Sequence, residues 1–528
     1  MVLCPTYVAQ DGTDTIDFGE ANGVGPDGSS TLAQTMREQL FHLSPNSSMT
    51  LQNQLREMLV TAILDGHIPG GSPLPSGRRL AEQLGVSRNT VVLAYQHLVD
   101  EGFLVSRERS GYYVNEEILA GRVRPQARAE VESTSQPAWS ERIQLKPSEQ
   151  RNISKPRDWD KYPYPFIYGQ FDPSLFPISE WRECCRQALS VVAVRDWLRD
   201  SIDGDDPFLI ERLHARVLPR RGVWANSDEI LITVGAQQAL YLISNLLMHD
   251  DTVVGMENPG YPDARNIFSI RTKRLKPLQV DASGLVISNN LNDCDYLYVT
   301  PSHQFPTTAT LPLDRRTTLL ERAANSDTVI IEDDYETEAN FSGQPTPALK
   351  SLDTHGRVIY VGSLSKSLAP GLRLGYLVGP AELIREARAL RRLMLRHPPT
   401  NNQRTIGLFI ARGHYDALLS KVGNAYGERW KVMNAALDQH LPECTRVPNL
   451  GGSACWLAGP KTLDCKALEY AAGERGIIVE PGDVCFMDNP PPRNYFRLGL
   501  SSIPLDRIEP GIRQLAEVVR KLGTKATA

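Results

Sequence analysis

The sequence predicts a two-part α/β protein: a small helical module with a hairpin, then a large module built on a mostly parallel sheet. Three observations predict it. At 528 residues the chain is too long for one ordinary domain. Apolar residues take up helical spacing abruptly at Leu51. From residue 166 onward, short apolar strands alternate with helical stretches, the pattern of a sheet with crossover helices. Hydrophobic residues make up 41% and charged residues 23%, which is globular composition.

In chain order, residues 1–49 show little periodicity and read as a loosely ordered extension, with one short helix from Leu32 to Phe41. The small module spans 50–115. Its first helix carries Leu51, Leu55, Met58, Leu59, Ala62 and Ile63 on one face and stops at Gly66. Ser76 caps a second helix with Leu80, Ala81 and Leu84 inside, Gly85-Val86 makes a tight turn, and Ser87 caps a third. That third helix points Val91, Val92, Tyr95, Leu98 and Val99 inward. Gly102 ends it. Phe103–Val105 and Tyr112–Val114 then form a two-stranded wing around a polar tip, Ser106–Ser110.

Two short helices joined by a glycine turn make a helix-turn-helix. Arg88, Asn89 and Thr90 stand at the free N-terminal end of its recognition helix, with donors and acceptors suited to base edges. Arg78, Arg107 and Arg109 are placed for phosphate contacts. The alternative is a helical hairpin used only for packing, and charge does not exclude it. The net charge of the chain is -5, and from Leu51 to Val114 six arginines face six acidic residues. Placement, with Arg88 where a recognition helix needs it, favours DNA.

Residues 116–164 turn polar and proline-rich, with Arg122, Arg124, Pro125, Arg128, Pro137, Pro147 and Pro156, and read as a linker. In the large module, 165–528, buried strands are expected at Ile230–Val234, Thr252–Met256, Tyr296–Thr300, Thr328–Glu332 and Arg357–Val361. The last leads into Ser363-Leu364-Ser365-Lys366, with Arg373 seven residues on between glycines. Hydroxyls and a permanently charged fork suit a phosphate. The lysine can form a Schiff base with an aldehyde cofactor. Gly235-Ala236-Gln237 opens a helix after the first strand, a second place for an anion. The fourth strand runs into Asp333-Asp334-Tyr335, where a carboxylate can keep a pyridine nitrogen protonated and Tyr335 can reach a ring hydroxyl. Tyr261 is a candidate for ring stacking or for packing its own turn. All these pieces fall at carboxyl ends of strands, where open α/β sheets bind ligands.

Residues 51 to 114, through Leu74-Pro75-Ser76, Arg78, Leu84-Gly85-Val86-Ser87-Arg88, Thr90-Val91 and Gly102-Phe103-Leu104, resemble the GntR family of winged-helix repressors. In that family the residues matching Arg78, Arg88, Asn89 and Thr90, with the wing, touch DNA. The wing departs from the pattern, with Arg109-Ser110-Gly111 where Gly-Ser-Gly is usual. The large module resembles fold-type I aminotransferases, with a smaller C-terminal α+β subdomain. Order and spacing over about 51–515, including Phe171 to Pro177 and Trp181, resemble the MocR/GabR regulators, which fuse the two.

This resemblance implies pyridoxal 5'-phosphate on Lys366, Asp333 at the pyridine nitrogen, Tyr335 at the ring oxygen and Tyr261 stacking. It implies Ser363, Ser365, Arg373 and the Ala236 and Gln237 backbone for phosphate, and Arg497 for an effector's carboxylate. In Pro301–Thr308 a threonine stands where the family has glycine, and either His303 or Gln304 takes the place of an asparagine near the ring. Residues 200–208 replace a tyrosine-containing stretch and are expected to reshape the effector pocket.

The expected function is a pyridoxal-phosphate-dependent regulator that binds operator DNA as a homodimer. It senses an amine or amino acid through an external aldimine, with little or no turnover. The alternative is a working aminotransferase with an accessory reader; a third reading makes the large domain a dimerisation scaffold only. The eight cysteines show neither Cys-x-x-Cys nor zinc spacing, so reduced thiols and no metal site are expected. With no basic start before Arg37 and no bilayer-length apolar run, a cytoplasmic protein without membrane contact is expected.

Overall fold

A computed structural model describes residues 43, 49–119, 137–336, 346–447 and 451–525. The expected extension, with its helix at Leu32–Phe41, lies almost wholly outside the described residues, as do the linker arginines 122, 124 and 128. The chain divides into two compact units, Met1–Ala138 and Trp139–Ala528. That boundary cuts the segment read as linker, and its later part makes contacts of the second unit.

In the first unit, helices Leu51–Leu64, Gly77–Leu84 and Arg88–Asp100 precede an antiparallel pair, β1 (Leu104–Arg107) and β2 (Gly111–Val114). The expected caps are made: the Ser76 hydroxyl accepts from the Arg79 N–H, and that of Ser87 from the Thr90 N–H. Gly85 takes the left-handed conformation (φ 65°) that turns the chain between helices. Leu55, Leu59, Leu80, Val91, Tyr95 and Leu98 form the core; Val92 and Val99 are only half-buried. The wing strands run further into the tip than the sequence suggests, because Arg107 still pairs with Gly111.

The second unit contains β3 (Tyr164–Pro165), β4 (Ile230–Thr233), β5 (Val254–Asn258), β6 (Leu275–Asp281), β7 (Gly284–Leu285), β8 (Tyr296–Val299), β9 (Val329–Asp334), β10 (Val358–Ser363) and β11 (Gly375–Val378). All but β3 form one sheet in the order β4-β11-β10-β9-β8-β5-β6-β7. Strands β10, β9, β8, β5 and β6 are parallel; β11 is antiparallel to both of its neighbours. Strands β4, β8, β9, β10 and β11 are buried almost throughout, which is why they read as apolar runs rather than alternating ones, whereas β6 is mostly half-buried or exposed. Helices Ala236–Leu247, Pro262–Phe268 and Leu313–Asn325 provide crossovers.

The C-terminal part adds β12 (Thr445–Arg446), β13 (Ala454–Ala458), β14 (Ile477–Ile478), β15 (Glu480–Pro481) and β16 (Tyr495–Gly499). An antiparallel sheet β12-β13-β16-β15 packs with helices His414–His440 and Leu505–Lys525 around its own core, while β14 pairs with β3. This is the smaller α+β subdomain.

Candidate functional site

The topology gathers the predicted residues at one edge of the large sheet. Strands β4, β5, β8, β9 and β10 end there, and antiparallel β11 starts there, so Arg373 arrives at the same edge as Lys366. A cavity of about 260 Å³ opens at that edge. All nine residues expected around the cofactor line it: Ala236, Gln237, Tyr261, Asp333, Tyr335, Ser363, Ser365, Lys366 and Arg373.

Lys366 presents its accessible surface to this cavity and to an adjoining one lined by Tyr335, Glu336 and Tyr426. Its Nζ lies 4.4 Å from the centre of the Tyr168 ring. Burial among protein atoms, and next the Lys155 ammonium, pull its pKa from 10.5 down to about 8. At pH 7 about a tenth of the population is then an uncharged, nucleophilic amine, far more than an ordinary lysine supplies.

Asp333 is buried on β9. One carboxylate oxygen, Oδ2, accepts from the Tyr298 hydroxyl at 2.8 Å; the other is buried with no hydrogen-bond partner among the described residues. Burial pushes its pKa up to about 7; the Tyr298 hydrogen bond opposes that and the neighbouring Asp334 carboxylate adds to it. A buried acceptor without a partner is costly. A protonated ring nitrogen would satisfy it.

The phosphate end is built by close backbone approach. Gly235 precedes helix Ala236–Leu247 at φ 77°, and its Cα lies where a Cβ on Gly375 would come within 2.9 Å. Neither position accommodates a side chain, so β11 runs tight against the helix start. Arg373, itself left-handed at φ 47°, reaches back to the Val234 carbonyl (3.3 Å) and the Gln237 side chain (3.5 Å). Ser365 lines the cavity, but its hydroxyl already exchanges hydrogen bonds with the backbone of Leu374, which leaves Ser363 as the freer donor. The first-turn N–H groups, the Ser363 hydroxyl and the Arg373 fork together suit a phosphate.

The Tyr261 ring packs on Phe305, centroids 5.1 Å apart, and its hydroxyl donates to Asp263. Neither His303 nor Gln304 lines the cavity, which corrects the expectation that one of them replaces an asparagine near the ring. The Gln304 amide is already engaged, donating to Glu257 and the Pro259 carbonyl and accepting from Thr307. His303 is buried away from the cavity, and burial lowers its pKa. Thr308, where glycine was expected, holds the left-handed conformation regardless (φ 63°). Residues 200–208 do not line the cavity either: Asp205 is bound by Arg388 and Arg391, and Asp206 by Arg404.

Arg497, on β16, is buried rather than open to the cavity. Its Nε and Nη2 both donate to Glu480 Oε2, at 2.9 and 2.7 Å, and its guanidinium lies 4.0 Å from the Tyr168 ring centre. The expected free fork is thus already half engaged. Nine further residues line the cavity beyond those the sequence suggests, among them Lys155, Tyr168, Tyr298 and Phe305. Tyr298 lay within a predicted strand, but nothing in the polar stretch around Lys155 marked it for a binding site.

In the first unit, Arg88 and Asn89 are exposed at the start of helix Arg88–Asp100. Thr90 is half-buried, its hydroxyl 2.8 Å from that of Ser87, so it supports the cap. Arg78 is exposed beside Glu82 (3.3 Å). In the wing, the Arg107 guanidinium lies 4.3 Å from the Tyr113 ring centre, and Arg109 keeps the left-handed turn (φ 57°) that glycine usually provides.

Residues 51–114 match the family model for bacterial regulatory proteins, gntR family, and residues 198–514 that for aminotransferase class I and II. The HTH-type transcriptional regulator TauR of Rhodobacter capsulatus is 41% identical over 480 residues, covering 91% of this chain and 99% of that protein. The probable rhizopine catabolism regulatory protein MocR of Rhizobium meliloti is 30% identical, over 90% of this chain and 94% of that protein. Among solved structures, Pyrococcus horikoshii kynurenine aminotransferase matches with a TM-score of 0.66 and 27% identity, over 72% of this chain and 98% of that one. The alpha-aminoadipate aminotransferase of Thermus thermophilus matches at 0.64 and 28%, over 73% and 99%.

Proposed function

The chain belongs to the MocR-type HTH transcriptional regulators, a gntR-family domain joined to an aminotransferase class I and II domain, and on that premise we propose that it binds pyridoxal 5'-phosphate on Lys366 and adjusts its hold on operator DNA to an amine or amino acid. The observation that carries this reading is a lysine of lowered pKa and a buried carboxylate oxygen without a partner among the described residues, both lining one cavity. When bound, the cofactor supplies an aldehyde carbon that condenses reversibly with primary amines and a ring that withdraws electrons.

The protein's own residues do the rest. Asp333, fixed by Tyr298, holds a proton on the ring nitrogen. The helix start at Ala236 and Gln237, with Ser363 and Arg373, anchors the phosphate, while Tyr261 and Tyr335 bound the ring. Arg88, Asn89 and Arg78 read and grip DNA, with Thr90 supporting the helix start. The function works as a homodimer, since paired readers match paired half-sites. An effector acts only through its differential affinity for two states of the protein, and DNA must alter effector affinity by the same factor.

A complete lysine and carboxylate pair also suits a working aminotransferase, and one experiment separates the two. The full-length protein is given amino donors and a keto acid while operator binding is followed. Effector-dependent DNA binding with little steady-state turnover supports regulation. Fast transamination that must finish before DNA binding changes supports the enzyme reading. Lys366→Ala should abolish the borohydride-reducible adduct, and an adduct on any other lysine overturns the assignment.

A further inference from the structure

A second cavity, of about 60 Å³, adjoins the cofactor cavity, and only Tyr335, Lys366 and Pro370 line both. Lys366 therefore stands in the partition. Its Nζ rests against the Tyr168 ring and has no hydrogen-bond or ion-pair partner among the described residues. The chain leaving β9 serves both spaces: Asp333 lines the first and Glu336 the second. Helix His414–His440 contributes Leu419, Val422, Gly423 and Tyr426 to the second, one stripe at helical spacing. A Cβ on Gly423 would meet nothing within 4 Å, so its missing side chain is part of the space. A glycine inside a helix is less stable than alanine, and no neighbour presses on this one to require it.

Three acceptors stand among the apolar side chains of this second cavity. Ser501 is 3% exposed, and its hydroxyl has no hydrogen-bond partner among the described residues. The Tyr426 hydroxyl has none there either. Burial raises its pKa; Arg429 opposes that and the Glu336 carboxylate adds to it. Glu336 itself accepts from the Ser453 N–H (3.3 Å) and the Ser453 hydroxyl, which takes two of about four lone-pair positions and leaves the others open. Buried polar groups are normally satisfied, so two unpartnered hydroxyls beside a half-used carboxylate point to a cationic donor.

We propose that this cavity is the resting place of the Lys366 ammonium whenever the lysine is not bonded to cofactor, with Glu336 as its counter-ion and the Ser501 and Tyr426 hydroxyls as its further acceptors. The inference rests on the reading above that Lys366 carries the cofactor. The lysine is then free in the cofactor-free chain and whenever another amine holds the cofactor's aldehyde carbon. In that exchange the incoming nitrogen's bond to the carbon replaces the lysine's, and two protons pass from the incoming ammonium to the lysine nitrogen. A buried lysine cation is left, and it needs a partner. The counts match, since an ammonium has three donors and the cavity offers three acceptors. The size matches, since about 10–15 Å³ of such space admits one water-sized group. The charges match as well. The charged groups facing Lys366 are Lys155, Arg497, Glu336, Glu480 and Asp333. Of these only Glu336 lines the second cavity, so a lysine that turns into it leaves two like charges and meets a carboxylate. Glu336 is thus a positioning residue for Lys366, and it favours amine binding by stabilising the lysine that the amine displaces.

The test uses the full-length chain, first without cofactor. Trace acetylation of Lys366 across pH, read by peptide mass spectrometry, gives the titration curve of the lysine. Glu336→Gln should move that curve down by about 1 pH unit or more, and Glu336→Asp should recover part of the loss. Gly423→Leu fills the cavity while leaving every charge in place, and it should move the curve in the same direction. In the cofactor-loaded chain, methylamine titrated against the cofactor's absorbance should bind about tenfold more weakly to both Glu336→Gln and Gly423→Leu. A Gly423→Leu curve that coincides with wild type, beside a shifted Glu336→Gln curve, makes Glu336 a distant charge and overturns the proposal. Two unshifted curves overturn it as well and leave the cavity to water. Gly423→Ala, which adds one methyl group and favours the helix, provides the same comparison if the leucine variant does not fold. A wild type without a borohydride-reducible adduct on Lys366 overturns the proposed function, and the cofactor-free curves still decide where the lysine rests.

Discussion

Replacing Asp333 with asparagine should stabilise the cofactor-free protein at alkaline pH while weakening its grip on the cofactor. In the folded chain Asp333 sits at about 7, against an ordinary 3.8. The folded state therefore keeps its proton over a range in which the unfolded state has lost it. The folded state binds more protons there, so stability falls as pH rises from about 4 to about 7. At about 1.4 kcal/mol per pKa unit, the cofactor-free wild type should lose about 2–3 kcal/mol from this group between pH 5 and pH 8. Asp333→Asn removes that slope, retains an acceptor for the Tyr298 hydroxyl, and leaves a buried amide N–H pair unmatched at a pH-independent cost of about 1–3 kcal/mol. The clean quantity is the change with pH in the stability difference between wild type and variant, which cancels the similarly buried Glu257 and Glu332. Urea denaturation of both proteins at pH 5 and pH 8, followed by tryptophan fluorescence, measures it. A difference that stays constant, or that favours wild type more at pH 8, refutes the reasoning. With cofactor bound, a cationic ring nitrogen beside Asp333 lowers its pKa and flattens the wild-type slope, so stability and cofactor binding are opposed at this residue.

Other expectations follow from individual contacts. Arg88→Ala should weaken operator binding by about 1–3 kcal/mol in a mobility-shift titration and leave cofactor absorbance unchanged. Arg221→Met should destabilise the large unit by about 3–5 kcal/mol in thermal unfolding, because it strips Asp334 of a buried partner 2.8 Å away; a loss below about 1 kcal/mol would mean the pair is dispensable. Arg109→Gly should stabilise the reader by up to about 1 kcal/mol, since the wing turn holds a left-handed φ that an L side chain resists. Sedimentation at micromolar concentration should give a dimer, and a cofactor-loaded monomer would remove the paired-reader argument.

Much of the architecture was legible because local chemistry specified it. Ser76, Gly85 and Ser87 cap and turn the helix-turn-helix through bonds to residues at most four positions away. The buried strands announce themselves as apolar runs because both of their faces are covered. Lys366, Asp333 and Arg373 could be singled out because each closes or opens such a strand, and strand ends in a parallel sheet share one edge. Local signals failed where a residue departs from habit without changing the backbone: Arg109 and Thr308 stand where glycine is usual, and both accept the left-handed turn because surrounding structure holds it.

What only the tertiary structure decided is which side chains are spent on the protein itself and which remain for a ligand. Gln304 looks as available in sequence as Tyr298, yet its amide is used up between its own loop and the Pro259 carbonyl, while Tyr298 orients Asp333. Arg497 reads as an open fork, yet Glu480, seventeen positions earlier, occupies two of its nitrogens. Lys155 carries no local mark at all. Its place beside Lys366 comes from a segment pinned by Phe486, Arg265 and Asn266, more than a hundred residues distant. Caps, turns and buried strands depend on neighbours along the chain, so they can be read from it. The charge state and free donors of a site depend on groups brought together across the chain, and those exist only once the sheet has closed around them.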